Sequence, residues 1–260
     1  MLGAALTGLA GAAPAADVPP VPFAVGEKLH YRIFWGPLPV GEALLHVRGI
    51  EMVDGHECYH FVAEAHTTGL GRALFPMDTV TESWTDRKEL FSRRFHQDRH
   101  EGRHSRQRQT SYDYVQKQAV TKNLKNGREE RVALDGPVQD MVSSLYYART
   151  RPLALNAEQQ FVLNTSDANY QIRLRPDQRR QLTVRPVGDV PALRVEPKPT
   201  LKIVSANSGR MWLWISDDAR RLPLVLNSTM SIGSAKMVLY KVDLPPTPQY
   251  SALPVVPAAN

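Results

Sequence analysis

The feature that most constrains this chain is a two-residue alternation of apolar and polar side chains, repeated from Val25 almost to the end. Leu29, Tyr31, Ile33 and Trp35 fall on one side and His30 and Arg32 on the other, the signature of a half-buried strand. "GPLPVG" (36–41) turns the chain, "EALLHVRGIEMV" (42–53) supplies a second strand, and Asp54-Gly55 is a strong hairpin signal. The theme recurs in "DTVTESW", in "RRFHQDRH" against "RHSRQRQTSYDY", and in "AVTKNLK" against "REERVAL" across Asn126-Gly127. It resumes in "QQFVLNT", "YQIRLR", "QLTVRPV", "ALRVEP", "LKIVSAN", "RMWLWIS", "LPLVLNSTM" and "AKMVLYKV". About fifteen short strands with turn signals between them predict a mainly all-β fold: a strongly curved antiparallel sheet or open barrel of many hairpins.

One segment breaks the period. In "PVQDMVSSLYYART", Val138, Met141, Val142, Leu145, Tyr146 and Arg149 recur at helical spacing, which predicts one amphipathic helix over about 137–150, packed on the sheet. Pro137 suits its first turn, with Asp135 or Gly136 as cap. The expected organisation is a signal-like leader over 1–20, one β-rich domain over 21–244 and a Pro-rich tail over 245–260. With 42 % hydrophobic and 22 % charged residues in 260, the chain can bury a core of that size.

The leader runs apolar and small before Ala13-Pro14-Ala15, an A-x-A cleavage pattern. It reads as the end of a secretory signal, cleaved on export to the periplasm. No other stretch approaches the roughly 20 apolar residues of a spanning helix, so the mature chain is expected to have no transmembrane segment. Cys58 is the single cysteine; it can form no intrachain disulfide and is expected to be buried. A net charge of +6 with a pI near 9.5 favours acidic partners. For an exported chain these are anionic lipids, glycolipids or other envelope components, and not nucleic acid.

"HECYH" (56–60) spells H-E-x-x-H, in which two zinc-binding histidines bracket a general base. The chemistry needs a helix, where one turn brings residues i and i+4 together. In a strand His56 and His60 stand about 13 Å apart along the backbone. The turn before His56 and the strand-like neighbours favour the extended form. The zinc peptidase alternative would use His56, Glu57 and His60, with Glu82 as a third ligand. His96, His100 and His104 fit a hairpin turning around His100–Gly102; with an even-length loop His96 and His100 share one face and His104 takes the other, whereas a three-residue loop would set His96 and His104 diagonally on one face.

Arg93, Arg94, Arg99, Arg103, Arg106 and Arg108 make the most basic stretch of the chain. They suit phosphate or carboxylate groups, or else keep a sheet edge from aggregating. Trp212 and Trp214 share one face of a strand apolar on both sides, fit to line a cavity, stack on sugars or pack the core. Ser143 and Ser144 lack a nucleophile context, and there is no P-loop, dinucleotide fingerprint or C-x-x-C pair.

Four segments, "VGEKLHYRIFWGPLPVGEALLHV", "TTGLGRALFPMDTVTESW", "PVQDMVSSLYYARTRPL" and "LWISDDARRLPLVL", resemble the bacterial exported-protein family catalogued as domain of unknown function 3108. The resemblance covers about Val25 to Val242. It implies an exported β-rich protein of Gram-negative bacteria and supplies neither activity nor catalytic residues. The expectation is a non-enzymatic periplasmic protein, without cofactor or metal, that binds an apolar or amphiphilic envelope component. Trp212, Trp214, Met141, Leu145 and Tyr146 would line its cavity, and Arg94, Arg99, Arg103 and Arg106 would meet acidic headgroups. A structural or glycan-binding envelope module is the further alternative.

Overall fold

The computed structural model describes residues 18–185, 187–199, 209–230 and 233–245. The expected leader as far as residue 17, the strand expected at "LKIVSAN" and the expected tail from residue 246 onward lie outside them. The first half holds β1 (Lys28–Trp35), β2 (Leu38–Val53), β3 (His56–Thr67), α1 (Gly69–Leu74), β4 (Met77–Asp86), β5 (Ser92–Glu101), β6 (His104–Asp113), β7 (Gln118–Asn123) and β8 (Glu129–Ala133). Then follow α2 (Ser143–Thr150), β9 (Gln159–Asn164), β10 (Asn169–Val184), β11 (Gly188–Pro199), β12 (Met211–Ser216), β13 (Pro223–Met230) and β14 (Gly233–Asp243).

All fourteen strands form one antiparallel sheet in the order β8-β7-β6-β5-β4-β3-β2-β1-β14-β13-β12-β11-β10-β9. Each strand therefore pairs with its neighbour in sequence, the first and last pair with each other mid-sheet, and β8 and β9 become the two edges. The segment joining those edges carries α2. Tyr146 of α2 stacks on Phe61 of β3 with ring centroids 3.8 Å apart, while Ala148 packs with Leu193 of β11 and Ile215 of β12. In a flat sheet β3 and β11 would be six steps, or roughly 29 Å, apart at about 4.8 Å per strand. A helix of two turns, about 12 Å long, touches both, so the sheet curls around it.

The barrel is not closed by a ladder. Asn169 Nδ2 donates to the Ala133 carbonyl at 2.7 Å and Arg108 donates to Ser166 Oγ at 2.8 Å, so side chains clasp the β8 side to the β9–β10 turn. Gln139 adds one parallel bridge to the β9 edge, donating to Val162 O and accepting from Asn164 N, each at 2.8 Å. These contacts cover part of an edge that would otherwise invite pairing with another chain.

That bridge corrects the expected helix. Because residue 139 is held extended at the sheet edge, α2 starts at Ser143 and not near Pro137. Asp140, 1 % exposed, takes the place expected of Asp135 or Gly136: its Oδ1 accepts from the Val142 and Ser143 amides at 2.8 Å. Ser83 and Ser92 donate to its other oxygen at 2.6 and 2.7 Å. Burial still outweighs these donors and raises the Asp140 pKa above the usual carboxylate range.

Two further differences have local causes. "YQIRLR" and "QLTVRPV" are one strand, β10, which passes Pro176 through a register shift between Pro176 and Gln178, where a missing N–H breaks no ladder. The short helix α1 follows Thr68, where the sequence shows only the end of a strand.

At the centre, Phe23 stands edge-on to Tyr59, Phe61 and Tyr146 at 5.2–5.3 Å. Beside these rings Arg149 and Glu27, 1 % and 0 % exposed, pair at 2.6 and 3.0 Å. Arg149 also donates to the carbonyls of Pro22 and Arg220 at 2.9 and 3.1 Å. Burial disfavours the guanidinium charge, but the Glu27 carboxylate outweighs it and keeps Arg149 above the usual arginine range. One ion pair thus ties α2 to the chain leading into β1 and to the β12–β13 turn.

Candidate functional site

His56–His60 is extended, as part of β3. Alternation sends Tyr59 into the core, and Cys58 and His60 to the opposite face. Cys58 is fully buried, which pushes its thiol pKa up to about 12. His60, 3 % exposed, stacks on Trp84 at 4.5 Å and 15°. Its Nδ1 lies 2.8 Å from Glu51 Oε1 and its Nε2 3.1 Å from Glu82 Oε1. Trp84 donates to Glu51 at 2.7 Å, the foremost reason the Glu51 pKa is lowered. Glu82 also meets His96 Nδ1 at 3.2 Å.

Glu82 therefore does reach His60, across paired strands and not from a neighbouring helix. His56 points instead toward Arg93 and Asp86, 3.2 and 3.5 Å away. Both ring nitrogens of His60 already face carboxylates, and no group of three His, Cys, Asp or Glu among the described residues is arranged to hold a metal. The helical geometry required by H-E-x-x-H is absent here because β2 and β4 hold this segment in a ladder on both sides.

The arginine tract forms the β5–β6 hairpin with a two-residue turn, Gly102-Arg103, and Gly102 takes φ +56°. His96 and His100 share one face, and His104 takes the other. Arg94 lies 3.6 Å from Asp54 and Arg99 pairs with Glu101, whereas Arg103 and Arg106 have no carboxylate partner among the described residues. This hairpin is seven strands from β12, roughly 34 Å along the sheet at about 4.8 Å per strand. The tract and the paired tryptophans do not form one site.

Nor do the helix residues expected to line a cavity come together around one. Tyr146 is stacked in the core, Leu145 packs against the cluster containing Leu29 and Tyr31, and Met141 is 57 % exposed. Between Phe23, Phe61, Leu90 and Tyr146 the interior has no room for a water molecule. The cavity expected beneath the helix is filled by aromatic rings.

Trp212 and Trp214 lead elsewhere. Trp214 heads a cross-strand row through Val225 and Val238 to Arg32, and Trp212 heads the next row through Asn227 and Lys236 to Phe34. By alternation from Tyr31 and Leu239, these rows lie on the face away from α2. Trp214 is 9 % exposed and belongs to the same apolar cluster as Leu29 and Tyr31, against which Leu145 and Trp212 also pack and to which Val184 and Val190 add the end of the β10–β11 hairpin. Where that end meets β14 and β1, an open cleft of about 430 Å³ forms.

Its lining includes Arg32, Phe34, Arg185, Lys236, Val238 and Tyr240. The Arg32 guanidinium lies over the Tyr240 ring, 5.1 Å from its centroid. Among the described residues no carboxylate pairs with Arg32, Arg185 or Lys236. The larger hollow beside His56, about 490 Å³, differs in this respect. There Arg87 pairs with Glu57 at 2.9 Å and Arg93 with Asp86 at 2.8 Å. The cleft at Arg32 thus combines an apolar floor with cations whose charge is not locally offset.

Sequence reasoning missed this cleft, though part of the signal was present. Arg32 and Phe34 alternate on one side of β1, as Lys236, Val238 and Tyr240 follow one another in "KMVLY". Only the pairing of the first strand with the last makes them neighbours.

Fold and site together define an open, barrel-like antiparallel sheet with a basic, aromatic-floored cleft on its outer face. The chain belongs to the family described as protein of unknown function (DUF3108), whose model matches residues 30–240. No curated protein matches it. Among solved structures it is similar to a beta-barrel-like protein of domain of unknown function DUF1849 from Brucella abortus. The TM-score is 0.54 at 10 % identity, covering 85 % of this chain and 98 % of that one. At that identity the likeness is one of fold.

Proposed function

We propose that this protein is a non-enzymatic binding protein of the cell envelope, exported to the periplasm, whose outer cleft takes an anionic amphiphile. The observation that carries the reading is the grouping of Arg32, Arg185 and Lys236, without carboxylate partners, beside Phe34, Val238 and Tyr240. A phosphate or carboxylate headgroup meets the cations, and the first part of an acyl chain lies over the rings. About 430 Å³ is within the range of small-molecule sites, roughly 300–1,000 Å³. The alanine-rich leader supports export.

Delipidated protein titrated with a dansyl-labelled fatty acid tests the reading. Saturable binding is expected, weakened about tenfold or more in the Arg32→Ala, Lys236→Ala double variant, at roughly 1–3 kcal/mol for losing charge-assisted hydrogen bonds. Absence of binding, or equal binding by the double variant, would refute it.

A further inference from the structure

The short helix α1 is oriented unlike a helix laid on a folded core. A surface helix turns its large apolar side chains inward. In α1 the buried residue is Gly71, while Leu70 and Leu74 are 67 % and 83 % exposed and the following Phe75 is 54 % exposed. The contact is fixed: a Cβ on Gly71 would lie 2.1 Å from the Val40 carbonyl oxygen. The helix therefore rests on the β2 backbone through its glycine and cannot roll to bring its leucines under. Thr68 N–H donates to Val40 O at 2.9 Å, and Thr67 Oγ1 donates to Phe75 O at 3.1 Å, so both ends are pinned. Leu38, 52 % exposed, stands two residues before Val40.

Strand alternation puts the turns after β1, β3, β5 and β7 at the same end of the sheet. Gly102 N–H donates to Pro76 O at 2.8 Å, which sets Arg103 beside the Phe75 end of α1. Arg103, in the β5–β6 turn, and Lys125, in the β7–β8 turn, are exposed and have no carboxylate partner among the described residues. Arg72 is held by Asp78 at 2.9 Å.

We infer that this end of the sheet docks on an anionic lipid surface, with Leu70, Leu74 and Phe75 inserted at the headgroup boundary and Arg103 and Lys125 against phosphates. The occupant follows from shape and charge. A stable protein interface needs about 800 Å² per partner; the few exposed apolar side chains of this six-residue helix and its end suit a fluid interface that closes around them. Basic residues beside the tip favour acidic over neutral headgroups. The inference goes beyond the cleft and stands whether or not the cleft holds a ligand.

Sedimentation of the full chain with vesicles of phosphatidylcholine, alone or mixed with phosphatidylglycerol, tests it. Binding to the mixed vesicles is expected, falling with added salt. Replacing Leu70, Leu74 and Phe75 together by serine should lower the partition coefficient about tenfold or more, and Arg103→Ser with Lys125→Ser about tenfold, with unchanged melting curves. If the triple variant melts early, Leu74→Ser alone, at the most exposed position, serves as the probe, with a smaller loss expected. Three outcomes would overturn the inference: no binding to either vesicle, binding that the apolar variants leave intact, or a dimer that the triple variant dissolves.

Discussion

Replacing Glu27 by glutamine strands the Arg149 guanidinium inside the curled sheet. The two side chains are 0 % and 1 % exposed and make two hydrogen bonds, at 2.6 and 3.0 Å. Removing one partner of such a pair costs about 3–5 kcal/mol, because the remaining charge is neither solvated nor neutralised. At about 2–4 °C per kcal/mol for a chain of this size, Glu27→Gln should lower the melting temperature by roughly 6–20 °C, read by far-ultraviolet circular dichroism. In the double variant Glu27→Leu, Arg149→Met the charge disappears with its partner, and only the Pro22 and Arg220 carbonyls lose a donor. Its loss should fall short of the sum of the single losses by roughly 2–3 kcal/mol. A Glu27→Gln loss below about 1 kcal/mol, or strict additivity in the double variant, would show that the pair does not hold α2 to the sheet.

Two other outcomes are expected. Cys58, fully buried with its thiol raised to about 12, should resist Ellman's reagent at neutral pH in the native protein and react on unfolding in urea; rapid native labelling would contradict its placement. Burial raises the Asp86 pKa, but the Glu89 amide, the Arg93 guanidinium and the Lys88 amide outweigh it, so the folded value lies below the usual range. A lowered carboxylate pKa stabilises above the unfolded value of about 3.9 and loses that contribution as pH falls through the folded one. Asp86→Asn should therefore be less stable than the parent at neutral pH, with the gap closing below about pH 4; a constant gap in pH-dependent urea melts would refute this.

The alternation in β1 and the Asp54-Gly55 turn were legible because a strand's two faces and a tight hairpin are local consequences of side-chain type and φ. For the same reason "HECYH" could be placed on a strand from its neighbours alone. Helix α2 was legible in type and in its end, but not in its start. The extended backbone at Gln139 is imposed by β9, which is more than 20 residues away in sequence and leaves no mark on the local pattern.

The candidate site divides along the same line. Trp212 and Trp214 were recognisable as an unusual pair, and the arginine tract as the basic stretch. Their partners were not, since a register couples residues by sheet order and not by chain distance. Arg32 meets Val238 because β1 pairs with β14, and Tyr146 meets Phe61 because the sheet curls around α2.

The sequence by itself determined that this chain is a series of hairpins with one apolar face per strand, one helical interruption and a surplus of positive charge. Tertiary structure alone decided that aromatic rings fill the interior and that Arg32, Arg185 and Lys236 gather on the outer face. The physical reason is that hydrogen-bond ladders and curvature bring together residues some 200 positions apart, such as Arg32 and Val238; local periodicity fixes which way a side chain points, not what it meets.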